Sequence, residues 1–148
     1  GLIGKIINLE RVQQYSLEQL EKAEIYPDII VHLEETFPFR PLDLIDNMIK
    51  QLIEGGYDTV IAAKEEPGWL WQQNHEGEIK RVDKGDIPRK FKEKSIKGLH
   101  GLGCISYAEF IRRGSLVGNK VGLYHVSSPL ADFEVKTKES IILAEKLM

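Results

Sequence analysis

The sequence predicts an α/β fold, and three observations predict it. An apolar run, Ile29-Ile30-Val31 with Leu33, reads as a buried strand. Ile45, Met48, Ile49, Leu52 and Ile53 then recur at the spacing of one face of an amphipathic helix. Tyr57 to Ala63 follows as a second β-rich, largely apolar run of the kind buried on both faces of a sheet. A strand–helix–strand unit with a right-handed crossover between parallel strands is the expected geometry.

The chain opens with Gly1-Leu2-Ile3-Gly4-Lys5, which lacks the spacing and the hydroxyl of a phosphate-binding loop. A helix is expected from Ser16 to about Ile25, with Ser16 and Gln19 as its capping box. Pro38 ends the first strand and Pro41 opens the segment after it, since proline cannot donate to a sheet ladder. Glu34, Glu35, Thr36 and Arg40 therefore lie just past a strand's carboxyl end, where open α/β sheets bind ligands. The plainer alternative is a solvated strand-to-helix turn. The next helix begins near Leu42, carries Asp43 and Asp46 where its dipole favours negative charge, and stops at Gly55-Gly56.

From Lys64 to Lys97 the periodicity lapses. This stretch holds Trp69 and Trp71, a turn at Asn74-His75-Glu76-Gly77, and a basic cluster that includes Lys80, Arg81, Lys84, Arg89, Lys90 and Lys92. It reads either as a solvated hairpin or, given two tryptophans in a polar segment, as an interface. Gly98 to Gly103 returns the chain to the sheet, without the dinucleotide-binding order of glycines. A short helix from Tyr107 to Arg113 and a strand from Val121 to Val126 follow. Asp132-Phe133-Glu134-Val135 is expected as a strand, which would send both carboxylates to one face. Such a pair suits Mg²⁺, although the plainer reading, the polar outer face of an edge strand, is the commoner use of exposed carboxylates. A helix capped by Thr137 closes the chain at Leu147.

Composition narrows the classes. The 148 residues, 42% of them apolar, suit one domain with a closed core. A net charge of -3 argues against a nucleic-acid-binding face. A lone cysteine, Cys104, precludes an intrachain disulfide and reads as a buried structural thiol in a reducing cytosol. No membrane span or signal peptide is visible, so a cytoplasmic location is expected.

Taken in order, Leu33 to Arg40, Gly103-Cys104-Ile105, and Asp132 to Val135 followed by Ala144-Glu145 resemble the acylneuraminate cytidylyltransferases over about residues 25 to 148. That family comprises the CMP-sialic acid synthetases and their CMP-Kdo synthetase relatives. The resemblance implies a three-layer, Rossmann-like α/β sandwich with a mixed, mostly parallel sheet. It also implies Mg²⁺-dependent transfer of CMP from CTP to an acidic acyl sugar, with pyrophosphate leaving. It places Asp132 and Glu134 as metal ligands, Arg40 and Asp132 in the catalytic machinery, and Glu34, Thr36 and Arg89 against substrate. Residues 67–97 correspond to an arm that pairs the enzyme as a homodimer.

The motif departs from the family at Glu34 (for glutamine), Glu35, Phe37 and Glu134, which leaves the identity of the sugar open. The family's first strand and nucleotide loop have no counterpart in Gly1 to Asn8. This segment is therefore expected to be part of a longer enzyme, or a shortened homologue. A non-catalytic binding or dimerisation module, or a Rossmann-type nucleotidyltransferase for another sugar, are the alternatives.

Overall fold

A computed structural model describes residues 8–66, 70–82 and 94–148. Helix α1 spans Leu9–Lys22, and its N-cap is Asn8, whose side chain accepts from the Arg11 N–H. The predicted start at Ser16 is therefore too late. Ser16 lies inside the helix and returns its hydroxyl to the Val12 carbonyl at 2.9 Å, a use open to serine in a helix interior. Strand β1 (Ile29–His32) leads through the 33–43 loop into α2 (Leu44–Gly55). Gly56 ends α2 in the left-handed region at φ 65°, as the glycine pair predicts.

Strand β2 (Thr59–Glu65) is buried from Thr59 to Ala63, on both faces. The short strands β3 (Trp71–Gln73) and β4 (Ile79–Arg81) form a separate hairpin. Asn74 organises its turn, accepting from the Glu76 and Glu78 N–H groups. Strands β5 (Ile96–Gly98) and β6 (Cys104–Tyr107), helix α3 (Ala108–Arg112), strand β7 (Val121–His125) and helix α4 (Lys138–Leu147) complete the order. Thr137 and Ser140 form the reciprocal cap of α4.

The sheet is mixed. β2 is central, pairing in parallel with β7 on one side and antiparallel with β6 and β5 on the other. β1 lies beyond β6 and pairs antiparallel with it. Strands β1, β2 and β7 therefore share one direction, and their carboxyl ends share one rim. The two strands flanking α2 are parallel as predicted, but they are not neighbours, because β6 runs between them.

Alternation along the strands builds three layers. Ile29, Val60, Ala62 and Ile105 join Leu44, Met48 and Leu52 of α2 in the main core. Ile30 points the other way, onto Leu17 of α1 and Ala108 and Ile111 of α3. Two buried hydroxyls, Thr59 and Ser106, face one another across β2 and β6 and satisfy each other at 2.9 Å. Cys104 is buried as expected, and burial pushes its thiol up to about 11.

Candidate active site

The rim where β1, β2 and β7 end gathers the polar residues singled out above. The loop after β1 is shaped by Arg40. Its Nε donates to the Leu102 carbonyl at 2.8 Å, and its Nη2 donates to the carbonyls of Glu34 at 2.7 Å and Gly101 at 3.0 Å. Partial burial lowers the Arg40 pKa, yet a guanidinium remains charged. The resemblance puts Arg40 in the catalytic machinery. Its observed work is to clamp the 33–40 loop onto the turn between β5 and β6.

That turn also fixes Glu34, whose N–H donates to the Gly101 carbonyl at 2.7 Å. A Cβ on Gly101 would collide with Glu34 Oε2 and meet Phe37 Cε2 at 2.8 Å. Glycine at this position is what lets the carboxylate lie over the turn. Glu34 Oε1 stands 3.7 Å from His32 Nε2. Phe37 is buried in the main core and holds the loop from beneath.

Residues 132–135 do not form a strand. Pro129 to Asp132 turns, and Phe133 to Lys136 then crosses the rim as irregular chain. Alternation therefore does not set the direction of the two carboxylates; tertiary partners do. Asp132 Oδ1 accepts from Lys64 Nζ at the end of β2, at 3.0 Å. Glu134 Oε1 accepts from the Thr36 hydroxyl at 3.4 Å, and Lys136 Nζ lies 3.3 Å from Glu134 Oε2. The Val135 N–H donates to the Thr36 carbonyl at 2.7 Å, and Phe133 meets Phe39 edge-to-face at 5.9 Å. The segment thus closes over the 33–40 loop like a strap, with a polar contact at Thr36 and an aromatic one at Phe39.

Glu34, Thr36, Arg40, Asp132 and Glu134 are thereby brought to one rim, although Asp132 faces β2 and Glu134 faces the loop after β1. Arg89 and Trp69 lie outside the described residues. The sequence alone does not single out His32 or Lys64, although both sit at the carboxyl ends of strands, as Glu34 does. Gly101 stands out in the sequence only as part of a glycine-rich turn. Among the described residues, no three His, Cys, Asp or Glu side chains are grouped as a metal site. Two carboxylates are still a sufficient protein contribution for Mg²⁺, which keeps several waters and takes phosphate oxygens from its substrate. Asp132 and Glu134 are hard-oxygen donors of the right kind, but they face different elements and each has a lysine held against it.

No family model matches the chain, and no curated protein matches it. Its fold does match a solved structure, the 4-diphosphocytidyl-2C-methyl-D-erythritol synthase of Anaerococcus prevotii, with a TM-score of 0.61 at 14% identity. The match covers 96% of this chain and 67% of that one. At this identity the likeness establishes a shared α/β fold, one that in Anaerococcus prevotii carries a diphosphocytidyl synthase.

Proposed function

We propose that this chain belongs to a nucleotidyltransferase that moves CMP from CTP to a hydroxyl of an acidic acyl sugar, releasing pyrophosphate. The observation that carries the reading is the rim itself. The carboxyl ends of three parallel strands hold Glu34, Thr36, Lys64, Asp132 and Glu134 together, on a fold similar to that of a diphosphocytidyl synthase. Asp132 and Glu134 would hold Mg²⁺, which supplies charge neutralisation at the phosphates. Lys64 and Lys136 stand beside those carboxylates and can turn to phosphate oxygens, giving fixed positive charge where negative charge develops. Thr36 holds Glu134 toward the loop, and Arg40 keeps that loop in register with the Gly101 turn. The residues thus orient the reactants more than they react with them, as phosphoryl-type transfer requires.

The test supplies the intact protein with CTP, MgCl₂ and, in turn, N-acetylneuraminic acid, Kdo and 2-C-methyl-D-erythritol 4-phosphate, and measures pyrophosphate. Release with at least one sugar acid is expected. Asp132→Asn should lower turnover about 100-fold and raise the Mg²⁺ requirement. It should change stability by less than about 1 kcal/mol, because the Lys64 pair is partly exposed. Absence of pyrophosphate with every acceptor would sink the reading.

A second reading, a non-catalytic assembly module, is favoured by the lysine already paired with each carboxylate. It expects self-association without CTP binding. In both readings we propose that the β3–β4 hairpin is the arm that pairs two copies. Residues Trp71 to Lys80 are all exposed, and Trp71 itself is 55% exposed. An isolated two-stranded hairpin is marginal in water, and a tryptophan on its face is a natural anchor.

A further inference from the structure

Three carboxylates at the rim differ in what surrounds them. Asp132 is bonded by Lys64, and Glu134 by Thr36 with Lys136 beside it. The Glu34 carboxylate has no hydrogen-bond donor among the described residues, and the nearest imidazole, that of His32, stands at 3.7 Å, beyond hydrogen-bond range. His32 Nε2 is in turn shielded from solvent and unpartnered, a costly state for a buried polar atom. Yet Glu34 is not loose. Its N–H and carbonyl are both bonded, by Gly101 and Arg40, and its side chain is seated over Gly101. The result is a positioned carboxylate with an open edge, 46% exposed, and an imidazole behind it.

We infer that Glu34 is the catalytic base of the transfer proposed above, on which this inference rests, and that His32 is its positioning residue. An ionised carboxylate is acceptor-only, so the group it takes from substrate is a donor, here the attacking hydroxyl. The sugar oxygen bonds to the α-phosphorus of CTP. The bond from that phosphorus to the bridging oxygen breaks, its electron pair leaving on pyrophosphate, and the hydroxyl proton passes to Glu34. The proton then escapes to water from the exposed edge.

His32 donates from Nε2 as the carboxylate settles, which fixes the oxygen that faces the sugar and satisfies the buried nitrogen. The titratable and charged groups set against Glu34 are the His32 imidazole from β1 and the Arg40 guanidinium on its carbonyl. The turn between β5 and β6 meets the side chain with Gly101. Asp132 and Glu134, each bonded to its own partners, are poor candidates for the same proton.

The experiment uses the intact protein with CTP, MgCl₂ and the best acceptor from the three sugars above, with CTP affinity read separately by calorimetry. Glu34→Gln should lower kcat about 100-fold or more. The KM for CTP and the melting temperature should hold, and kcat should climb with pH as hydroxide substitutes for the lost base. His32→Gln, which keeps an N–H near the same place, should retain most activity. His32→Leu should lose about tenfold, the lower end of a positioning effect, and alter the pH profile. A Glu34→Gln variant within about twofold of the parent kcat, with an unchanged pH profile, overturns the base assignment while leaving the transfer reading intact. A parent protein that transfers nothing overturns both.

Discussion

Two glycines of the segment between β2 and α3 answer differently to an added methyl group. At Gly101 the added carbon would fall on the Glu34 carboxylate and the Phe37 ring, inside a buried turn. At Gly98 it would meet Ile61 Cγ2 at an ordinary 3.8 Å. Gly101→Ala is therefore expected to cost about 1–3 kcal/mol, the usual range for overpacking. Gly98→Ala should stay within about 0.5 kcal/mol. Urea unfolding of the two variants measures the contrast, and equal losses would contradict it.

Cys104 sets a pH limit on stability. Its folded pKa, about 11, lies above its ordinary value of 9.0, so the folded protein binds the thiol proton more tightly than the unfolded chain does. This contribution is complete below pH 9.0 and is lost as pH rises through about 11. Cys104→Ala should therefore flatten the decline of stability over that window in chemical denaturation at a series of pH values. An unchanged slope would place the alkaline loss elsewhere. The cysteine's burial was legible from its apolar neighbours. The approach of Glu34 to within 3.7 Å of His32 was not, because the Gly101 turn, distant in sequence, holds the Glu34 backbone.

Among the elements, those with strong local chemistry were the readable ones. The apolar face and terminal glycines specified α2, and the Thr137 cap specified α4. Even so, Ile53 belongs to the apolar repeat of α2 and is 58% exposed, so the face is narrower than the repeat suggests. α1 begins earlier than expected because Asn8 is an equally good cap and lies ahead of Ser16.

Residues 132–135 alternate like a strand and yet make no ladder. The Pro129–Asp132 turn redirects them, and their backbone bonds Thr36 instead of a neighbouring strand. β6 is short and was hidden between a glycine-rich turn and a helix. Its pairing with both β1 and β2 is a long-range choice that no local pattern encodes. The candidate site is thus half legible: residue type and position single out Glu34, Thr36, Asp132 and Glu134, whereas Lys64 and His32 enter only through the geometry of the fold.

At the scale of the whole molecule, the body and the hairpin are unequal. The body has a continuous core on both sides of its sheet, while the hairpin presents Trp71, Gln73, Ile79 and Arg81 on one face outside it. If this face is the pairing arm, Trp71→Ala should weaken self-association by about 2 kcal/mol or more. Sedimentation equilibrium across micromolar concentrations reads that shift. A monomer at every concentration, with tryptophan emission typical of water, would remove the hairpin from any interface. The described residues include no helix long and apolar enough to cross a membrane.

The antiparallel strand between β1 and β2 governs the order of assembly. As the chain is made, β1, α2 and β2 emerge together, yet β1 and β2 cannot bond each other, since Val31 and Val60 both await Ile105. Until that strand arrives, the first two have unsatisfied edges and α2 has only part of its platform. Ring closure over so long a stretch is slow, and the sheet can close only after most of the chain is available. The short strand that no local pattern marks is therefore the one that joins the first strand to the rest of the sheet.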